Sequence, residues 1–544
     1  MTEEQAWQII DLLTTTQDAA ISLIKNCEDG DSGSFITLSD DIVAAYKFIM
    51  SFVEAHNNRK SYYIACESVV ESLNHILAYD LSDASKRIHK IEFELLPLMQ
   101  SLYMFFYFYE IIAKDKERFM HYIDKQRYLI GVNSYVDYSE KAGEYKYELS
   151  IIVTGFNKLE YTKMCIDNLL KYIPKNLSYE LILINHGSTD GTKEFFESIR
   201  PHKQLDIFRN GGGYGAVQKI IEGRYTLSIS NDVLVTENAI TNLLSCIKSD
   251  SKIAYVVPTT PNVSNLQSIT TERFETLDEM YIFAKENNQK NPLKWEQRVR
   301  LCNPIALYSS KHILSSSGIQ YQTYIISEDG HLFPDDKRSL LFRKHGLKMM
   351  LAKDAYCYHF GSVTLKDTIK ENEYYTNGRK IFKQTFNIDP WGKGFCYDPH
   401  LFHELNLSKK DKAYILGISP GIGSNPLKIK TMLRELGSEN TKLFLATEEE
   451  HFKVDYETYT EPEYVTISRP NEFASVFPKE FFDYITVEFP INSNMLNSLI
   501  KRLKPKGQLL VLVSDEKTIR SLNKRKPNQI IDSKSHGWFV YNKN

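Results

Sequence analysis

The chain has 544 residues, too many for one ordinary hydrophobic core, so two to four domains are expected. Its 42% hydrophobic and 25% charged content is that of a globular protein, and a net charge of −3 gives no global attraction to nucleic acid or an anionic membrane. The seven cysteines (Cys27, Cys66, Cys165, Cys246, Cys302, Cys357, Cys396) are odd in number, scattered and form no C-x-x-C pair. That favours reduced, mostly buried thiols in a cytoplasmic protein over a disulfide framework or a structural zinc site.

The chain opens Met1-Thr2-Glu3-Glu4-Gln5, without the basic region and apolar core of a signal peptide. Thr2 followed by Gln5 is a capping-box pattern, and Trp7, Ile10, Leu13, Ile21 and Ile24 recur at roughly helical spacing. After a loop at Glu28–Ser34, helices are expected over Ser39–Glu54, Tyr62–Ala78 and Ser85–Lys114. The most apolar stretch, Leu95–Tyr109, holds Pro97 and Gln100 and is short for a membrane span. It reads as a buried helix, with an interfacial helix as the other option. Residues 1–145 are therefore expected to form a helical domain without chemistry of its own.

From Glu148 the pattern changes. Leu149–Val153 is a strand-like run ending in Thr154-Gly155-Phe156-Asn157. Leu181–Ile184 is a second, ending in Asn185-His186-Gly187-Ser188-Thr189-Asp190-Gly191-Thr192. Asn210-Gly211-Gly212-Gly213 follows, and then Tyr225–Ile229, ending in Ser230-Asn231-Asp232. Three strands thus end in polar tips with helical segments between them, the arrangement in which open α/β sheets bind ligands. Ile253–Pro258 reads as a further strand and Thr259–Arg298 as an irregular, acceptor-side excursion. Phe333-Pro334-Asp335-Asp336 precedes a helix ending near Gly346, and a strand over Lys348–Leu351 leads to Tyr358-His359-Phe360-Gly361-Ser362.

The order and spacing of these tips resemble family 2 glycosyltransferases, inverting enzymes with a single nucleotide-sugar-binding domain of the GT-A type. The resemblance covers about 146–400. It implies that Thr154, Phe156, Asn157, Asn185, His186 and Ser188 hold the nucleotide, and that Asn210, Gly211, Gly212 and Asn231 lie along the sugar diphosphate. Asn185-His186 stands where many relatives carry two aspartates, and Ser230-Asn231-Asp232 keeps one acid of a usual triplet. By the resemblance, Asp232 and His359 would hold Mn²⁺ or Mg²⁺, hard ions suited to oxygen ligands. Asp336 would be the base for the acceptor hydroxyl, with Asp335 orienting it or substituting for it.

Residues 410–544 form a third unit. Ala413–Gly417 is a strand leading into Pro420-Gly421-Ile422-Gly423, and Asn425-Pro426 would cap and open a helix. Leu443–Glu448 carries an acid at its tip, and Tyr484–Val487 and Leu509–Val513 are later strands. This unit resembles S-adenosylmethionine-dependent methyltransferases, which implies S-adenosylmethionine at the glycine turn. A silent Rossmann-like module serving oligomerisation or acceptor binding is the competing expectation. The expected fold class is α/β: a GT-A domain, Rossmann-like, preceded by an all-α domain and followed by a second Rossmann-like domain.

The expected function is inverting transfer from a nucleotide diphosphate sugar to a hydroxyl of a bacterial surface glycan or of a glycoprotein such as flagellin. The alternatives are a bifunctional glycosyltransferase/methyltransferase and a non-catalytic scaffold. No nucleic acid partner is expected. A lipid-linked acceptor would be met at the inner membrane face, by peripheral contact.

Overall fold

In a computed structural model, the described residues are 1–56, 60–78, 83–91, 95–121, 145–206, 220–269, 274–312, 333–361, 363, 375–376, 378–380, 382–383, 388–403, 405–469, 472–513, 529–532 and 537–543. The chain divides into two compact units that exchange it repeatedly. The first holds Met1–Val235, Pro304–Pro334 and Tyr358–Phe386; the second holds Thr236–Asn303, Asp335–Cys357 and Asn387–Asn544.

The first unit begins with helices α1 (Glu3–Asp29), α2 (Ser32–His56), α3 (Lys60–Ala78), α4 (Ala84–Lys90) and α5 (Leu96–Tyr107). The capping box at Thr2 forms on both sides: Gln5 N donates to Thr2 Oγ1 at 3.2 Å and Thr2 N donates to Gln5 Oε1 at 2.8 Å. The loop expected over Glu28–Ser34 contracts to Gly30-Asp31. Gly30 turns left-handed (φ 70°), Asp31 N donates to Asn26 O at 2.9 Å and Gly30 N to Cys27 O at 3.4 Å. This glycine-based C-cap satisfies the last carbonyls of α1, and Asp31 Oδ1 then accepts from Ser34 N at 3.0 Å to start α2. Leu95, Met99, Leu102 and Phe106 are buried in a core with Ile9, Leu13, Tyr46 and Leu73. The apolar stretch is thus a core helix, and no described helix is long and apolar enough to cross a membrane.

The main further elements in chain order are β1 (Tyr147–Gly155), α6 (Leu159–Tyr172), β2 (Tyr179–Asn185), α7 (Thr192–Ile199), β3 (Lys203–Asp206), β4 (Gly223–Ser230), β5 (Val233–Leu234), α8 (Ala239–Ile247), β6 (Ile253–Thr259), α9 (Leu277–Asn287), β7 (Trp295–Arg298), β8 (Ile305–Ser309), α10 (Pro334–Lys344), β9 (Lys348–Tyr356) and β10 (Tyr358–His359). They continue with β11 (Lys412–Ile418), α11 (Ser424–Glu435), β12 (Asn440–Thr447), α12 (Lys453–Tyr456), β13 (Val465–Ile467), β14 (Phe482–Val487), α13 (Ser493–Ile500), β15 (Leu503–Val513), β16 (Gln529–Asp532) and β17 (Gly537–Asn542).

In the first unit the strands run in the order β3-β2-β1-β4-β8. β1 is parallel to β2 and β4, β2 is parallel to β3, and β8 closes antiparallel on β4. Gly223 opens β4 because a Cβ there would lie 2.2 Å from Ser150 N of β1. Leu98 packs on Ile152, Ile182, Ile184 and Leu205 of the sheet, and Lys90 pairs with Asp206 at 3.3 Å. These two contacts fix the helical region to the sheet.

The second unit carries β6 parallel to β9 and β7 antiparallel to β9. The irregular excursion expected over 259–298 therefore includes two regular elements. Thr276 caps α9 by accepting from Glu279 N at 3.3 Å, and Trp295–Arg298 joins the edge of β9. The C-terminal strands form a seven-stranded sheet, order β13-β12-β11-β14-β15-β17-β16. β11 to β15 are parallel, and β17 runs antiparallel between β15 and β16. Helix α11 starts at Ser424 with Gly423 (φ 106°) as its cap, two positions before the expected cap Asn425. Asn425 Oδ1 instead accepts from Asp398 N at 2.9 Å.

Candidate functional site

In the first unit the tips of β1, β2 and β4 are knitted together. Beyond Gly155 the chain turns through Asn157 (φ 53°) and Lys158 (φ 62°), a left-handed pair that asparagine tolerates. Asn157 N donates to Ser188 Oγ at 2.9 Å, and Thr189 N donates to Asn157 Oδ1 at 2.8 Å. His186 N donates to Gly155 O at 2.8 Å, and Asn185 Oδ1 accepts from Ser188 N at 3.0 Å. Thr154, Asn157, Asn185, His186 and Ser188 are thereby brought to one place, with half-buried Phe156 beside them. Despite partial burial, bonds from Thr192 and Leu159 hold the Asp190 carboxyl below its usual range. Asp190 thus ties the second tip to the start of α6, through Leu159 N at 2.8 Å.

A carboxylate does stand beside Asn185, but on the neighbouring strand. Asp206 at the end of β3 accepts from Asn185 Nδ2 at 3.3 Å and from Lys90 Nζ at 3.3 Å. Sequence order hides it, because β3 is short and its end is defined only by pairing with β2.

The third tip carries Asn231 and Asp232, both buried. Asn231 Nδ2 donates to Asn157 O at 3.1 Å and to Thr162 Oγ1 at 2.9 Å. Its two amide hydrogens therefore join the tips of β1 and β4 to α6, a bracing position for a residue expected along the donor. Asp232 leads into β5, and β5 pairs antiparallel with β10, placing His359 opposite Val233. His359 Nε2 lies 3.3 Å from Asp232 Oδ2, and Phe360 N donates to Asp232 O at 3.1 Å. The Phe360 ring meets Tyr161 of α6 edge-on at 4.9 Å, closing the pair on one side. Asn210, Gly211 and Gly212 lie outside the described residues, as does Ser362.

The Asp232–His359 pair fits a divalent ion in one respect. Two ligands adjacent on an octahedron of Mg²⁺-like bond lengths stand about 3 Å apart, close to the observed 3.3 Å. Two protein ligands are a thin shell, and no cluster of three or more His, Cys, Asp or Glu that could hold a metal occurs among the described residues. Phosphate oxygens and water would have to complete it.

Asp335 and Asp336 belong to the second unit, in the first turn of α10, where the helix dipole favours acids. Asp336 is buried and receives a two-pronged bond from Arg300: Nε to Oδ1 at 2.5 Å and Nη2 to Oδ2 at 3.3 Å. Asp335 is half-buried and accepts from Asn303 N at 3.2 Å and Asn303 Nδ2 at 3.0 Å. Burial pushes both carboxyls above the usual range, with Arg300 pulling Asp336 back and Arg338 and Arg300 pulling Asp335 back. Arg300 and Asn303 were not singled out from sequence. The alternation Glu296-Gln297-Arg298-Val299-Arg300 was the available signal, since it puts three charges on one face of an extended segment.

The glycine turn of the C-terminal sheet does not fit S-adenosylmethionine. Its amides point at the chain's own backbone: Ile422 N donates to Lys393 O at 2.9 Å and Ser424 N to Gly394 O at 3.2 Å. A Cβ on Gly421 would lie 2.0 Å from Lys393 O, and one on Gly394 2.1 Å from Pro420 O. The glycines therefore admit another segment of this chain, the Lys393-Gly394 turn, where a cofactor would need that space. Glu448, the acid expected at the tip of that strand, is exposed just beyond β12.

Residues 150–308 match the family model for Glycosyl transferase family 2. No curated protein is significantly similar to the chain. Among solved structures, GalNAc-T7 with UDP, GalNAc and Mn²⁺ aligns at 13% identity over 39% of this chain and 44% of its own, with a TM-score of 0.29. TarS residues 1–349 from S. aureus, in complex with UDP-GlcNAc, aligns at 15% identity over 44% of this chain and 65% of its own, TM-score 0.29. The mannosyltransferase PcManGT from Pyrobaculum calidifontis, with GDP-Man and Mn²⁺, aligns at 12% identity over 44% of this chain and 68% of its own, TM-score 0.28. The chain thus spans less than half of the first of these and just under two thirds of the second.

Proposed function

We propose that the chain transfers a sugar from a nucleotide diphosphate donor to an acceptor hydroxyl, inverting the anomeric configuration. The observation that carries this reading is the Asp232–His359 pair at the third strand tip, 3.3 Å apart, in a chain whose residues 150–308 match a glycosyltransferase family. In this reading Thr154, Phe156, Asn157, Asn185, His186 and Ser188 hold the nucleotide. Asp232 and His359 would hold Mn²⁺ or Mg²⁺, which, when bound, neutralises charge on the departing diphosphate.

We assign proton acceptance to Asp335 and the orienting role to Asp336, the reverse of the order expected from sequence. Asp336 is locked in the Arg300 fork, whereas Asp335 keeps part of its surface open. The acceptor oxygen bonds to the anomeric carbon as its proton passes to Asp335. The sugar–phosphate bond breaks, and the diphosphate leaves with the electron pair. A raised carboxyl pKa suits a base that must hold the proton near neutral pH. The acceptor we favour is a bacterial surface glycan or a glycoprotein such as flagellin, met in the cytoplasm or at the inner membrane face.

A non-catalytic scaffold is the second reading. It is favoured by the amide groups of Asn185 and Asn231 being engaged inside the protein. A panel of nucleotide sugars, with and without Mn²⁺, separates the two. Release of nucleotide diphosphate from one donor, lost in Asp335→Asn with donor binding retained, supports the enzyme. Absence of binding and release with every donor supports the scaffold.

A further inference from the structure

The C-terminal sheet is left without a task by the transfer reaction. Its glycine turn is filled by the chain's own Lys393-Gly394, so a second catalytic site at that turn is disfavoured. What the module does hold is the helix that bears the two carboxylates. Asp455 of α12 is 2% exposed. Its Oδ1 accepts from Arg343 Nε at 2.6 Å and its Oδ2 from Lys344 Nζ at 2.6 Å. Arg343 and Lys344 are the last two residues of α10, whose first turn carries Asp335 and Asp336.

The link does not stop at the helix. Arg343 Nη1 also donates to Val299 O. Val299 precedes Arg300, which forks onto Asp336. One side chain therefore ties both the far end of α10 and the backbone beside Arg300 to one buried carboxylate of the C-terminal module. A second tie runs through β7: Glu296 accepts from Lys428 of α11 at 2.8 Å, and Gln297 Nε2 donates to Thr458 O at 2.8 Å. Buried charges are stable only when paired in close geometry, so these contacts admit little slack.

We propose that the C-terminal α/β module is a brace, and that Asp455 is a positioning residue which, through Arg343, fixes helix α10 and the Arg300 fork around Asp335 and Asp336. The catalytic part of this statement rests on the function proposed above; the mechanical part does not.

Two measurements on the full chain test it. Where a donor is turned over, Asp455→Asn lowers kcat by roughly 10–100-fold, the scale of small misplacements remote from the chemistry, with donor KM unchanged. Asp455→Glu recovers much of the loss. Unchanged kcat, or an equal rise in donor KM, overturns the positioning role. Arg343→Lys keeps the charge beside Asp455 and gives up the fork to Val299, so it decides the matter if Asp455→Asn does not fold. Amide hydrogen exchange supplies the activity-independent reading. In Arg343→Lys, exchange over Pro334–Lys344 rises at least about tenfold while β1, β2 and β4 keep their protection. Unchanged exchange in α10 overturns the brace whatever the turnover. Turnover of no donor, with the exchange result as expected, removes the proposed function and leaves the brace standing. Calorimetric binding of S-adenosylmethionine to the full wild-type chain would overturn the statement that the module is only a brace.

Discussion

Replacing Arg300 by methionine isolates the buried pair on which the carboxylate region depends. Both partners are nearly inaccessible, Arg300 at 7% and Asp336 at 6% exposure, and the fork supplies two bonds. Removing one partner of such a pair costs about 3–5 kcal/mol, because the other charge is stranded. For a unit of a few hundred residues each kcal/mol lowers the thermal midpoint by about 2–4 °C, so a drop between about 6 and 20 °C is expected at pH 7.5. The pH dependence has a definite sign. Burial already holds the folded-state pKa of Asp336 above its unfolded value, with Arg300 as the main opposing influence. Without Arg300 it rises further. An acid with a raised folded pKa binds more protons when folded, so its contribution declines as pH climbs from the unfolded towards the folded pKa. The deficit of Arg300→Met is therefore largest at pH 7.5 and shrinks near pH 4.5, and adding Asp336→Asn should restore part of the loss at pH 7.5. Scanning calorimetry or fluorescence melts at the two pH values read this directly. An equal deficit at both pH values, or a double variant less stable than Arg300→Met alone, would refute the reasoning.

Four further outcomes are expected. His359→Ala and Asp232→Asn each lower metal-stimulated donor cleavage by about 100-fold or more, the scale of several kcal/mol of leaving-group stabilisation, and weaken Mn²⁺ binding seen by electron paramagnetic resonance; wild-type Mn²⁺ affinity in both variants would remove them from the metal site. Asn231→Ala lowers stability by about 1–3 kcal/mol, since it strands Asn157 O and removes the bond donated to Thr162 Oγ1, and a melt unchanged within error counts against that bracing role. Burial pushes Glu488 at the end of β14 up to about 7, so the second unit loses up to roughly 3 kcal/mol as pH rises from about 4.5 to 7; Glu488→Gln should flatten that slope, and an unchanged slope would contradict it. Gly421→Ala must displace the backbone of Lys393, and faster proteolytic cleavage near residues 391–398 checks it.

The legible parts of the sequence were those governed by neighbours along the chain. Thr2 and Gln5 cap each other, apolar runs such as Leu181–Ile184 become strands, and Gly346 ends α10 with φ 71°. The parts that were missed depend on partners far away. Asn425-Pro426 has the local form of a helix start, but Gly423 takes the cap because Tyr456 and Tyr459 line one side and Asp398 claims the Asn425 side chain. Gly421 and Gly423 suggest a cofactor turn, yet the space at Gly421 is filled by the backbone of Lys393, far earlier in the chain, and Gly423 faces the rings of Tyr456 and Tyr459. Arg300 gave no sign of its partner, because its fork with Asp336 closes across 36 residues. Asp232 and His359 were matched by family resemblance, whereas spacing alone says nothing about a pair so far apart.

That separation has a consequence for biosynthesis. The two-residue ribbon of β5 and β10 joins His359 to Val233, 126 residues apart (359 − 233), and so brings the imidazole to Asp232. Closing so long a segment is slow and entropically unfavourable for only two paired residues. On the ribosome, β1, β2 and β4 can emerge and associate while His359 is still unsynthesised. A nascent chain halted before residue 358 would present a formed sheet with Asp232 at its tip and no imidazole beside it. If the pair serves the proposed reaction, nucleotide-diphosphate capture begins only once residue 359 has emerged, and a shorter translation product would not sequester donor.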